Sequence, residues 1–198
     1  MNTSFAKAET LTGAMLAPLD FVRTAALVVG FSLLTALAAQ VVIPLPWTPV
    51  PITGQTFAVL LTGALLGSRL GALAMIAYLI EGASGLPFFY AGGSGAQHLL
   101  FSPTSGYLLS YPVAAFVVGL LAERGWDKRF LSAAAAMTLG SLVILLGGWA
   151  WLARFVSPAA AFQAGVAPFL IGDVIKLALA AAVLPSGWAI LRKTSRKG

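Results

Sequence analysis

Asp173 and Lys176 stand three residues apart in Pro168-Phe169-Leu170-Ile171-Gly172-Asp173-Val174-Ile175-Lys176, within a run from Val166 to Leu191 that is otherwise uncharged and mostly apolar. On a helix that spacing sets a carboxylate acceptor and an ammonium donor on one face. In a bilayer each charge costs at least about 2.5 to 3.5 kcal/mol, so the two persist only where they face a cavity, a partner or each other. The chemistry on offer is recognition of a small polar or anionic molecule. Mutual neutralisation, or pairing of Lys176 with Glu81, is the structural alternative. Glu81 closes another apolar run and reads as a ligand contact, a partner of Lys176 or a group facing a water-filled vestibule. Gln55 opens a third run and suits either a ligand amide or freed backbone at a helix start. Phe88, Phe89, Tyr90 and Phe169 suit packing on a ring, with an interfacial aromatic belt as the alternative.

Other chemistries lack their residues. There is no cysteine, hence no thiolate nucleophile or thiolate metal site, and the single histidine, His98, rules out the usual multi-histidine zinc centre. Gly92-Gly93-Ser94-Gly95 lacks both the preceding strand and the following Lys-Ser/Thr of a phosphate-binding loop. An intramembrane hydrolase would need a serine or paired aspartates with a base in reach. The expectation is a protein that is not an enzyme, without metal or cofactor. A net charge of +6 does not signal nucleic acid, because the basic residues fall in short clusters between apolar runs, the pattern that orients a membrane protein.

The elements that must position these groups follow from composition. Of 198 residues, 59% are hydrophobic and only 9% charged, with a mean hydropathy of +0.93. A soluble domain carries roughly a quarter charged residues. We therefore expect an all-α integral membrane protein: one membrane domain over residues 1–198, with a cytoplasmic tail at 1–22, a six-helix bundle at 23–191 and a basic tail at 192–198. The first span runs from Thr24 to Pro44 and ends at four prolines, Pro44, Pro46, Pro49 and Pro51, which forbid a continuing helix. The second covers Thr53 to Ser68, and the third starts at Leu70 and runs at least to Ile80. The fourth covers Ser105 to Ala122, the fifth Phe130 to Ala153 and the sixth Val166 to Leu191, with Pro185 and Gly187 as an early end or kink. Between the third and fourth, Gly85 to Thr104 is rich in glycine, proline and aromatics. So apolar an irregular segment reads as a re-entrant or lid-like loop.

Six spans put both termini on one side. Assigning that side to the cytoplasm leaves Lys7, Arg23, Arg69, Arg124, Lys128, Arg129 and the tail bases inside, with Arg154 alone in an outer loop. Counted at 1.5 Å per residue from Arg69 and Arg192, Gln55, Glu81, Asp173 and Lys176 all lie roughly 18 to 28 Å up their helices, in the outer half. The pattern describes an outward-facing small-molecule pocket.

A family resemblance rests on Pro49-Val50-Pro51-Ile52-Thr53-Gly54-Gln55-Thr56, Gly63-Ala64-Leu65-Leu66-Gly67, Gly85-Leu86-Pro87-Phe88, Ser102-Pro103-Thr104-Ser105-Gly106-Tyr107, and Pro168-Phe169 followed by Gly172-Asp173 and Lys176. In order and spacing these resemble the BioY family, the biotin-specific substrate-binding subunits (S components) of energy-coupling factor vitamin transporters. The resemblance implies a six-helix bundle in the cytoplasmic membrane, capture of biotin from outside, and partnership with a transmembrane coupling subunit and ATPase subunits. A stand-alone or oligomeric biotin transporter, with a second copy of the chain as partner, is the alternative, and an S component for another small anionic vitamin is a further one. The resemblance carries ligand contact onto Asp173 and Lys176, and with them Glu81, Tyr90 and Gln97 near the end of the third span and in the following loop. Matching an ammonium to an anion and an acceptor to N–H donors assigns Lys176 to the biotin carboxylate and Asp173 to the ureido group. Gln55, Phe88 and Phe169 complete the expected contacts. The family's docking motif on the first helix is Ala-xxx-Ala; this chain offers Ala26-xxx-Gly30, Ser32-xxx-Ala36 and Thr35-xxx-Ala39, which keep small residues at a spacing for close helix approach.

Overall fold

The structure, a computed structural model, describes residues 10–16 and 20–195. Lys7, Arg196 and Lys197, counted above among the inner charges, lie outside the described residues. A short helix α1 (Leu11–Leu16) precedes α2 (Phe21–Ala39). Asp20 caps α2 by accepting the backbone N–H of Arg23 at 2.7 Å, so the helix starts three residues before the expected Thr24. It stops at Gln40, ahead of the prolines. There the chain forms a two-stranded antiparallel hairpin, β1 (Val42–Ile43) and β2 (Ile52–Thr53), with Val42 opposite Thr53 and Ile43 opposite Ile52.

The hairpin delivers the chain to α3 (Gln55–Leu66), which turns at Gly67 into α4 (Ser68–Ala83). The glycine-rich connection that follows is partly helical: a 3-10 turn at Tyr90–Gly92 and a short α5 (Gly95–Phe101) lead into α6 (Ser105–Ala122). A second 3-10 turn (Trp126–Lys128) precedes α7 (Phe130–Leu152). The connection expected after it contains α8 (Pro158–Gly165), with Pro158 in its first turn and the Ser157 hydroxyl accepting from the Ala160 N–H. The last helix, α9 (Ala167–Ser195), neither ends nor breaks at Pro185, and it takes in the first four residues of the expected basic tail. One proline removes one ladder bond, and in apolar surroundings the bonds on either side have no water to lose themselves to.

Among the described residues, four stretches are long and apolar enough to cross a membrane: Phe21–Ala39, Ser105–Ala122, Phe130–Leu152 and Gly172–Ala189. With 12 and 16 residues, α3 and α4 reach only about 18 and 24 Å at 1.5 Å per residue. Large apolar side chains such as Leu33, Leu37, Val113, Leu146, Val174 and Leu179 are exposed, as expected of faces turned to lipid. This is a multi-pass membrane protein.

Small residues let the interior close. A Cβ on Gly119 of α6 would collide with the backbone of Gly67, so α6 passes directly over the α3–α4 turn. Gly148 of α7 does the same for the ring of Tyr107, with which a Cβ would collide. Tyr78, Phe89, Tyr111 and Met75 are the largest fully buried side chains. The ends of α2, α4 and α7 meet the starts of α3, α6 and α9 at one end of the molecule. There the Thr48 hydroxyl donates to the Ala164 carbonyl at 2.8 Å, tying the hairpin loop to the end of α8.

Candidate functional site

At that end lies a cavity, about 500 Å³ of empty space when its open mouth is included. The hairpin and α3 contribute Val50, Thr53, Gln55 and Thr56; α6 contributes Tyr107, Leu108 and Tyr111; and α7 contributes Ile144 and Leu145. Phe169, Asp173 and Lys176 come from α9, and Tyr90 from the connection after α4. Most of the wall is aromatic or aliphatic, with its charge confined to α9.

Asp173 and Lys176 lie on one face, as their spacing requires, with Lys176 Nζ 3.8 Å from Asp173 Oδ1. Neither is left to the other alone. The ammonium donates to the Thr53 carbonyl at 2.8 Å and to Thr56 Oγ1 at 2.9 Å, at the start of α3. The other carboxylate oxygen, Asp173 Oδ2, accepts from the Ser141 hydroxyl of α7 at 2.5 Å. Asp173 is 7% exposed, so these bonds offset the desolvation that a buried charge would otherwise suffer.

Gln55 is 4% exposed and sits in a relay of neutral hydrogen bonds. The Tyr111 hydroxyl donates to Gln55 Oε1 at 2.9 Å, Gln55 Nε2 donates to the Tyr78 hydroxyl at 2.7 Å, and Tyr78 donates to the Phe88 carbonyl at 3.1 Å. The relay links α6, α3 and α4 to the connection. Of the two roles expected for Gln55, satisfaction of freed backbone is replaced by these side-chain bonds. Phe169 packs obliquely on Tyr107, ring centroids 6.2 Å apart, and Tyr107 donates to the Gly165 carbonyl at 2.6 Å.

Asp173, Lys176, Gln55, Tyr90 and Phe169 therefore share one cavity, while three other expected contacts do not line it. Glu81 accepts a hydrogen bond from Ser32 across the α2–α4 contact, so it neither faces the cavity nor pairs with Lys176. Phe88 stacks behind Tyr78 at 6.4 Å. Gln97 is exposed and belongs to a separate shallow groove with Ser94, His98, Phe101 and Ser102. His98 itself stacks on Phe89 at 5.3 Å, and burial pushes its imidazole below the ordinary histidine range.

The expected docking residues divide as well. Ala26 and Gly30 are exposed, with nothing within 4 Å of a Cβ placed on Gly30. Ser32 and Ala36 are buried, so that motif packs inside the bundle. Sequence reasoning missed Ser141, Thr56 as an anchor of Lys176, and the tyrosines Tyr107 and Tyr111. The last two, four apart on α6, carried a signal in their spacing.

The family model for the BioY family matches residues 5–193, nearly the whole chain. The chain belongs to the BioY family. Over 161 residues, 81% of this chain and 93% of its relative, it is 42% identical to the probable biotin transporter BioY of Pyrococcus horikoshii. Over 153 residues, 77% of this chain and 88% of its relative, it is 38% identical to the biotin transporter BioY of Thermotoga maritima. Its backbone matches the crystal structure of the S-component for biotin from an ECF-type ABC transporter with a TM-score of 0.74, at 23% identity, covering 89% of this chain and 93% of that one. At that identity the likeness establishes the fold, and the BioY fold is what brings α3, α6, α7 and α9 together around the cavity.

Proposed function

We propose that the chain is the biotin-capturing subunit of an ECF-type transporter, with the α9 pair gripping the ureido end of the ligand. The observation that carries the reading is the 3.8 Å separation of Lys176 Nζ and Asp173 Oδ1 inside an otherwise apolar cavity. The carboxylate and the ureido group of biotin are separated by the sulfur-containing ring and four methylenes. Two groups 3.8 Å apart suit one end of the ligand better than both, so this reading sets the pair on the ureido end in place of the division of roles expected from charge matching alone. A urea presents N–H and C=O side by side. Asp173 Oδ1 accepts the N–H and Lys176 donates to the carbonyl, both charge-assisted bonds of about twice neutral strength. A ligand carboxylate at Lys176 would instead crowd the Asp173 carboxylate, a like-charge contact. Tyr107, Phe169, Leu108 and Ile144 supply the apolar wall for the ring and chain.

Six helices, α2, α3, α4, α6, α7 and α9, cross the membrane in alternating directions in this reading, both termini are cytoplasmic, and the connection after α4 covers the cavity from outside. The distribution of Lys and Arg supports that orientation. No nucleotide-binding motif occurs in the sequence, and energy for uphill transport comes from a coupling subunit and ATPases. The outward face of α2 around Ala26 and Gly30 is the docking surface. Uptake of radiolabelled biotin by biotin-auxotrophic cells tests the reading. It should require this chain, and rise further when a coupling module is co-expressed; cells that gain no uptake under either condition would refute it.

A further inference from the structure

Gln40 follows the last residue of α2, on an exposed side chain that sequence analysis left without a role. Its amide reaches 47 to 52 residues along the chain into the connection after α4. The two hydrogens on Nε2 are shared among the carbonyls of Ala36 at 3.1 Å, Pro87 at 3.4 Å and Phe89 at 3.2 Å. On its other side Oε1 accepts the Gly92 N–H at 3.1 Å. The partners fix which way the amide points, since the reverse would set an oxygen against three carbonyls.

Those partners bracket Tyr90, which with Thr104 is where the connection touches the cavity. The turn around it is tight: the Phe89 N–H donates to the Gly93 carbonyl at 2.9 Å and the Gly93 N–H to the Tyr90 carbonyl at 3.0 Å. Ala91 is forced to a φ of 52°, a left-handed conformation that a residue with a side chain rarely takes. Such a conformation lasts only where its surroundings over-determine it. The base of the turn is held independently, by Phe89, fully buried against Gly82 and stacked on His98. The tip is held by Gln40.

We infer that Gln40 is a positioning residue that keeps Tyr90 against the cavity and so makes ligand exchange depend on the end of α2. The inference rests on the reading of this cavity as the biotin site. Because α2 also carries the exposed Ala26 and Gly30 face, a shift of its end relative to α4 pulls on the turn directly. Loss of Gln40 frees the tip while the Phe89 anchor, and with it the fold, remains.

Two measurements test this, one of them independent of ligand. The chain has no cysteine, so Tyr90→Cys supplies a single thiol whose reaction with a soluble thiol reagent reports how firmly the turn is held. Adding Gln40→Ala should speed labelling about fivefold to tenfold, the scale of one or two neutral hydrogen bonds lost. In the second, protein loaded with radiolabelled biotin in detergent is chased with unlabelled biotin. Gln40→Ala should raise both release and association rates by a similar factor while leaving the relative affinity for biotin and its methyl ester at the wild-type value. Gln40→Glu, which keeps the size and the acceptor but loses the donor, should behave alike and serves if Gln40→Ala folds poorly. Labelling and exchange at wild-type rates would overturn the inference. A wild type that binds no biotin would instead overturn the reading of the site, with the labelling result still deciding the role of Gln40.

Discussion

Lys176→Ala removes the only cation that lines the cavity among the described residues and leaves two acceptors, the Thr53 carbonyl and Thr56 Oγ1, without their donor. Asp173 keeps its bond from Ser141 but loses the neighbouring charge. Truncating one member of a desolvated charge pair costs about 2 to 5 kcal/mol, and at 1.4 kcal/mol per factor of ten that is a loss of roughly 30-fold to several thousand-fold in biotin affinity. The ligand series separates the two possible roles of the lysine. If the pair holds the ureido end, wild type binds biotin and biotin methyl ester within severalfold of each other, and Lys176→Ala weakens both equally. Asp173→Asn should likewise weaken both. Equilibrium binding of the acid, the ester and the amide to wild type and both variants in detergent gives the nine affinities needed. A wild type that strongly prefers the acid, together with a Lys176→Ala variant that has lost the preference, would place Lys176 on the carboxylate and refute the argument from the 3.8 Å separation.

Three further outcomes are expected. Ser141→Ala should lower biotin affinity about tenfold by leaving Asp173 Oδ2 without its donor, with Ser141→Thr restoring most of it; unchanged affinity in Ser141→Ala would remove the serine from the account. Gly30→Leu should leave binding intact and abolish stimulation by the coupling module, because that position faces open space, whereas Ser32→Leu should destabilise the purified protein because Ser32 is fully buried; an assembly that tolerates Gly30→Leu would move the docking surface elsewhere. Single cysteines placed in residues 84–104 should react with an impermeant thiol reagent in intact cells and cysteines at either terminus should not, and the reverse pattern would invert the topology.

How far the sequence was legible depended on the length of each feature. Long apolar runs closed by charges or prolines gave α6 its bounds, Ser105 to Ala122, and α7 within one residue. The hairpin, α5 and α8 escaped because strands of two residues and helices of seven or eight carry too few positions for a period to show. For the cavity, counting residues along a helix gave the height of Gln55, Glu81, Asp173 and Lys176 but not the direction each faces. Glu81 has the right height and turns toward α2, where Ser32 offers a hydroxyl. Asp173 and Lys176 escaped that ambiguity because two groups three apart fix each other's direction. Ser141 is one of three hydroxyl residues in the apolar α7. Nothing local separates such a residue, bonded across 32 positions to Asp173, from one bonded back to its own helix, as Ser110 is to the Gly106 carbonyl.

The central claim is that this cavity holds biotin, and equilibrium binding to the purified chain tests it most directly. In detergent and without any partner subunit, radiolabelled biotin should bind saturably at one site per chain, be displaced by desthiobiotin, which keeps the ureido group, and be unaffected by thiamin or riboflavin. Absence of saturable binding, or displacement by the unrelated vitamins as readily as by desthiobiotin, would contradict it.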